Sequence, residues 1–115
     1  MLAQREYSQQ EAIQKLMHQG YVRGDIDDVI DEYVQKGWLS NARFIDQKVS
    51  SLMARGYGTS YVQQVLRQQG VEIQASEYQW QEAYHVALRK AGKKEGFALK
   101  RYLYRRGFMS EMLDD

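Results

Sequence analysis

The sequence predicts an all-α protein, an elongated array of small tandem helical units, and three observations lead there. No proline occurs among the 115 residues, so no helix is broken by a pyrrolidine ring and no turn is set by one. Apolar residues recur along most of the chain at i, i+3, i+4 and i+7, the period of a helix with one buried face. The third observation is a repeated terminator. Leu16-x-x-x-Gly20-Tyr21, Leu52-x-x-x-Gly56-Tyr57, Leu66-x-x-x-Gly70-Val71 and Leu103-x-x-x-Gly107-Phe108 share one form, and Gly37-Trp38 is a fifth instance without the leucine. Each reads as a helix stop, in which glycine turns the chain and the next apolar residue folds back onto the last turn. Gly20 to Gly56 is 36 positions and Gly70 to Gly107 is 37. Near-equal intervals suggest units of two or three helices, each too small to close its own core.

The elements follow in order. Ser8 with Glu11 three residues on, ahead of Ala12, Ile13, Leu16 and Met17, is a capping box; its helix stops at Gly20. A second helix is expected from about Asp25, with Ile26, Val29, Ile30, Tyr33 and Val34 on one stripe, ending at Gly37. Asp27, Asp28, Asp31 and Glu32 crowd its early turns, where the first carboxylates suit the amino-end dipole. Ser40 or Asn41 caps a third helix carrying Ile45, Val49, Leu52 and Met53, closed by Gly56. Thr59 or Ser60 is expected to cap a fourth with Val62, Val65 and Leu66, closed by Gly70. Residues 71–79 have room for one short helix. From Trp80 the series Ala83, Tyr84, Ala87, Leu88 and Ala91 is helical to Gly92, and a last long helix from about Glu95 runs to Gly107. Ser110 then stands as a cap with five residues after it, too few to hold a helix unaided.

Composition narrows the function. With 43% hydrophobic and 12% aromatic residues the chain can build a core, although a mean hydropathy of −0.68 makes that core thin. Sixteen Lys and Arg against fifteen Asp and Glu leave +1, which excludes a uniformly basic DNA-coating protein. Zero cysteines exclude a disulfide scaffold, thiol catalysis and thiolate metal sites. No apolar run reaches the roughly 18 residues of a membrane span, and no signal-peptide core opens the chain, so a cytoplasmic protein is expected; it is expected to be a monomer. Catalysis has little to work with. His18 and His85 lie on different predicted helices, and there is no Ser-His-acid grouping, paired-His metal spacing or phosphate loop. No catalytic residue, metal or cofactor is assigned.

Four segments in order resemble the bacterial RecX recombination regulators. Arg5-Glu6-x-Ser8 before a short helix is similar to the family's opening. Gly37-Trp38-Leu39-Ser40-Asn41-x-Arg43-Phe44 resembles its central segment. Arg55-Gly56-Tyr57-Gly58, then Val62-x-x-x-Leu66-x-x-x-Gly70-Val71, resembles its most recognisable stretch, and Arg101-Tyr102-Leu103-Tyr104-Arg105-Arg106-Gly107-Phe108 its close. The resemblance implies three three-helix units, residues 1–37, 38–78 and 79–115, forming a curved molecule that lies in the groove of a RecA filament on single-stranded DNA and limits it without chemistry. Three departures stand out. The opening helix of unit one is nearly absent, with Met1 only a few residues before Arg5; the third helix of unit two is shortened; and the last helix of unit three is truncated.

Charge suggests where contact falls. Residues 1–37 hold four basic against seven acidic side chains, residues 38–78 four against three, and residues 79–115 eight against five. Between Arg89 and Arg106 lie eight cations and one acid, Glu95. At 100° per residue, Phe97, Lys100, Arg101, Tyr104 and Arg105 share one arc of the closing helix, while Ala98, Leu99, Tyr102 and Leu103 share the other. Alternating cations and rings suit phosphates and stacked bases, or a partner's side chains. Arg43 and Arg67 leave their helices' apolar stripes and are further candidates for partner or DNA contact; Arg55 suits a helix carboxyl end. Two other classes compete. A helix-turn-helix-like module could read base edges from Val62-Gln63-Gln64-Val65-Leu66-Arg67-Gln68-Gln69, and a purely architectural array could bind an unrelated protein.

Overall fold

The computed structural model describes residues 5–108; the expected cap at Ser110 and the start at Met1 lie outside them. Six α-helices form the described chain: α1 (Gln9–His18), α2 (Arg23–Gln35), α3 (Asn41–Ala54), α4 (Thr59–Gln68), α5 (Gln81–Ala91) and α6 (Gly96–Arg105). No strand occurs among the described residues. The short helix allowed for residues 71–79 is a single 3-10 turn, Ala75–Glu77.

The local signals explain most boundaries. Ser8 Oγ accepts from the Glu11 amide at 3.1 Å, and Glu11 Oε1 accepts from the Ser8 amide at 3.1 Å, closing the capping box on a fully buried serine. Ser40 Oγ accepts from the Arg43 amide at 3.2 Å. α2 starts at Arg23, within two residues of the expected start near Asp25. One expectation changes. α4 is entered through Gly58, with no side-chain cap, because Thr59 is already helical and the Ser60 hydroxyl donates instead to the Gly107 carbonyl at 3.2 Å.

The five stops are Schellman motifs. The amides of Tyr21, Trp38, Tyr57, Val71 and Phe108 donate to the carbonyls of Leu16, Tyr33, Leu52, Leu66 and Leu103. The glycines Gly20, Gly37, Gly56, Gly70 and Gly107 all have positive φ and donate to the carbonyl three residues back. The residue after the glycine folds inward in the later stops, where Val71 and Phe108 are buried, but Tyr21 and Trp38 stay exposed.

Burial divides into three successive clusters. Ala12, Ile26, Ile30 and Leu39 form the first; Phe44, Val49, Leu52, Val62, Leu66, Val71 and Trp80 the second; Ala83, Ala87, Leu103 and Phe108 the third. Val34, expected on the α2 stripe, is exposed, so that stripe is narrower than its period suggests. The principal helix pairs are α1–α2, α3–α4, α3–α5 and α5–α6. The molecule measures 54 × 24 × 23 Å with a radius of gyration of 17.5 Å, against about 13 Å for a compact domain of this length. It is an elongated helical array.

Candidate functional site

α6 is held in place by a junction made largely of backbone. The Gly58 amide donates to the Arg106 carbonyl at 2.6 Å, and the Ser60 amide to the Gly107 carbonyl at 3.0 Å. The Arg106 guanidinium returns across the junction, Nε donating to the Gly56 carbonyl at 3.0 Å and an NH2 group to the Arg55 carbonyl. It also lies over the Tyr57 ring at 4.2 Å and the Tyr102 ring at 5.5 Å. Such approach leaves no room for side chains on the glycines. A Cβ on Gly58 would sit 2.7 Å from the Phe108 ring, and one on Gly107 2.5 Å from the Tyr61 amide nitrogen. The α6 stop is therefore seated on the α3–α4 turn, with Leu103 and Phe108 buried beneath.

That seating fixes which face of α6 points outward. Phe97, Lys100, Arg101, Tyr104 and Arg105 are all exposed, with Phe97 at 83% and Tyr104 at 68%. Both are large aromatic side chains open to solvent on the same face of one helix. None of the three cations pairs with a carboxylate among the described residues. Ala98, expected on the inward arc, is exposed as well, so the inward arc reduces to Leu99, Tyr102 and Leu103. The structure thus brings five of the seven candidate contact residues onto one helix face.

Arg43 and Arg67 stand apart on α3 and α4. Arg43 Nε pairs with Glu6 at 2.9 Å and an NH2 group donates to the Gly37 carbonyl at 2.7 Å, tying the segment before α1 and the α2 stop to the start of α3. Two further bonds reinforce that junction: the Gln9 amide to Asn41 Oδ1 at 2.8 Å, and Gln10 Nε2 to the Gln68 carbonyl at 3.1 Å. Arg67 is exposed, 4.0 Å from Glu72. Arg55 is the C-cap of α3, with its guanidinium over Tyr57 at 5.2 Å. Arg106 carries the α6 junction. It lies three positions after Leu103 and seven after Leu99, on the apolar stripe, and a cation at such a position needs a partner inside.

The opposite end carries the opposite sign. Asp27, Asp28, Asp31 and Glu32 are exposed on α2, where Arg23 pairs with Asp27 at 3.2 Å and Lys36 with Glu32 at 2.7 Å. Near the chain start, hydrogen bonds from Arg5 and Lys15 hold the Tyr7 phenol below its ordinary value. Burial, with Asp46 and Glu77 nearby, pushes Tyr78 up. His18 and His85 are both exposed, and no cluster of three or more His, Cys, Asp or Glu suited to a metal occurs among the described residues. No described helix is long and apolar enough to cross a membrane.

Comparison with known proteins gives a consistent result. Regulatory protein RecX of Halorhodospira halophila is 30% identical over 127 aligned positions, covering 98% of this chain and 79% of that protein. Regulatory protein RecX of Haemophilus influenzae (strain Rd) is 33% identical over 98 positions, 78% of this chain and 64% of the relative. The protein of the same name from Acidithiobacillus ferrooxidans is 27% identical over 121 positions, 98% of this chain and 81% of its own. No protein-family model matches the chain.

Proposed function

Because this chain belongs to the RecX family of regulatory proteins, we propose that it acts on RecA, binding the filament on single-stranded DNA or the filament's growing end and limiting its activity. The observation that supports this reading is the outward face of α6, where Phe97 and Tyr104 alternate with Lys100, Arg101 and Arg105 and all five are exposed. The face sits on a helix whose far side is locked by the Arg106 junction, so its side chains are presented on a rigid support. Its working units are residues 1–37, 38–78 and 79–115, and the basic third unit makes the contact.

The mechanism is differential affinity. The protein shifts the filament equilibrium only by as much as it prefers assembled RecA to free RecA. It performs no reaction, needs no cofactor and works in the cytoplasm. Direct contact of the three cations with single-stranded DNA gives log affinity against log salt a slope of about −2, from about 0.7 per neutralised phosphate.

The test is RecA's DNA-dependent ATPase and strand exchange with substoichiometric protein, together with filament length by electron microscopy. Inhibition and shorter filaments are expected. Arg101→Glu with Arg105→Glu should raise the concentration for half-inhibition roughly tenfold while helicity is unchanged. Unimpaired RecA at equimolar protein would refute the reading, and an unchanged inhibition curve for the double variant would move the contact away from α6.

A further inference from the structure

The acidic face of α2 has no part in the reading above, yet its chemistry mirrors that of α6. On a helical wheel Asp27, Asp31 and Val34 fall within one narrow arc, with Asp28 beside it, and Trp38 continues that side just past the helix end. Val34 is 40% and Trp38 55% exposed, and Asp28 and Asp31 have no cation within ion-pair distance among the described residues. Each face is thus a pair of exposed apolar groups flanked by charges of opposite net sign, although on the α2 side Lys36 lies over the Trp38 ring at 4.7 Å and Arg23 pairs with Asp27 at 3.2 Å.

The two faces cannot satisfy each other within one molecule. The clusters follow one another along a body 54 Å long, and α2 packs on α1 while α6 packs on α5. Between two molecules nothing opposes the match. The net charge is +1, so copies do not repel one another appreciably at neutral pH, a condition that favours association.

We infer that the chain associates with itself head to tail, the α6 face of one copy docking on the α2 face of the next. Phe97 and Tyr104 are seven residues apart, about 10 Å along the helix, a separation that lets them straddle Val34 and Trp38 while Lys100, Arg101 and Arg105 meet Asp27, Asp28 and Asp31. The contact is heterologous, so each copy keeps one free face of each kind and longer chains can grow. One helix against another buries less than a standard interface, which makes the association weak and strongly dependent on salt.

The measurement is sedimentation velocity of the protein alone, from micromolar to millimolar concentration, at about 25 and 300 mM salt. The apparent dissociation constant should rise roughly tenfold at the higher salt. Two variants then settle the geometry: Arg101→Glu with Arg105→Glu on α6, and Asp28→Lys with Asp31→Lys on α2, each checked by circular dichroism. Each alone should be monomeric. Mixed, they should associate again, because the intact α6 face of one meets the intact α2 face of the other and the two reversed faces are likewise opposite in charge, and Trp38 on the α6 variant should become shielded from acrylamide. A wild-type monomer throughout the low-salt range, association surviving in either variant, or a mixture that stays monomeric would each overturn the inference. RecA is absent from these measurements, so their failure leaves the proposed inhibition untouched. Retained inhibition by the α2 variant separates the two roles.

Discussion

Replacing Gly107 with alanine tests whether the α6 junction is as tight as its geometry requires. Two costs are expected. Gly107 has φ +100°, a conformation that costs an L-residue about 1–2 kcal/mol. The new methyl would lie 2.5 Å from the Tyr61 amide nitrogen and 2.9 Å from the Gly58 carbonyl oxygen. Since both are backbone atoms, the turn must open, and opening sacrifices the Gly58–Arg106 and Ser60–Gly107 hydrogen bonds, about 1 kcal/mol each. The total is about 3–4 kcal/mol. Gly20→Ala is the matched control, because Gly20 has φ +93° but nothing within 4 Å of an added Cβ. It should cost only the conformational part, about 1–2 kcal/mol. Thermal unfolding followed by circular dichroism reads the difference, with Gly107→Ala lowering Tm about 10–15 °C and Gly20→Ala about half that. Hydrogen exchange should place the loss in α6 and the Gly56–Ser60 turn. Equal destabilisation by the two variants would refute a closely packed junction, leaving Gly107 as a helix stop like the others.

Three other perturbations probe separate contacts. Arg106→Lys should destabilise by about 1.5–3 kcal/mol although charge is kept, since one ammonium cannot reproduce a fork to two carbonyls and a stack on two rings; chemical denaturation measures it. Ser8→Ala should cost about 1–2 kcal/mol by the same measurement, because the capping box breaks and the Glu11 amide loses its buried partner. In alkaline titration at 295 nm, Tyr7→Phe should remove a component that ionises below the ordinary tyrosine value, and Tyr78→Phe one that ionises above it. The signs follow from linkage. Tyr78 favours its neutral form when folded, so its contribution is present below the unfolded value and is lost as pH rises through the folded one. Tyr7 contributes above its unfolded value and loses that as pH falls through the folded one.

What was legible in the sequence was local. A Schellman stop is written within six consecutive residues, so Leu16 to Tyr21 and Leu103 to Phe108 could be read directly and formed as expected. The outward arc of α6 was legible for the same reason, since helical period alone separates Phe97 and Tyr104 from Leu99 and Leu103. What could not be read was long-range. Ser60 does not cap α4 because its hydroxyl finds an acceptor in Gly107, 47 residues away, and no nearby pattern announces that distance. Arg43 leaves its own apolar stripe, and no local pattern announces that it also bonds Glu6 and Gly37 from earlier elements while staying half exposed. Arg106 enters the sequence analysis only in the count of eight cations and in the closing motif, although its position on the Leu99–Leu103 stripe carries a usable warning.

The two junctions also differ in kind, and that difference bears on how firmly the basic face is held. Between the first and second clusters every cross-link named above uses a side chain: Arg43, Asn41 or Gln10. Between the second and third, backbone amides and carbonyls bond directly, Gly58 to Arg106 and Ser60 to Gly107. Side-chain bonds tolerate rotation of the bodies they join, because several torsions separate the donor from the chain. Direct backbone bonds permit almost none. The α6 face is therefore fixed relative to the central helices, and relative motion of the ends falls more readily at the side-chain-linked Gly37–Ser40 connection, next to the acidic end. With the α6 backbone already fixed, any contact proposed for the basic face would order only its exposed side chains, not the helix itself. The more adaptable end is also the one whose charges are partly paired within α2.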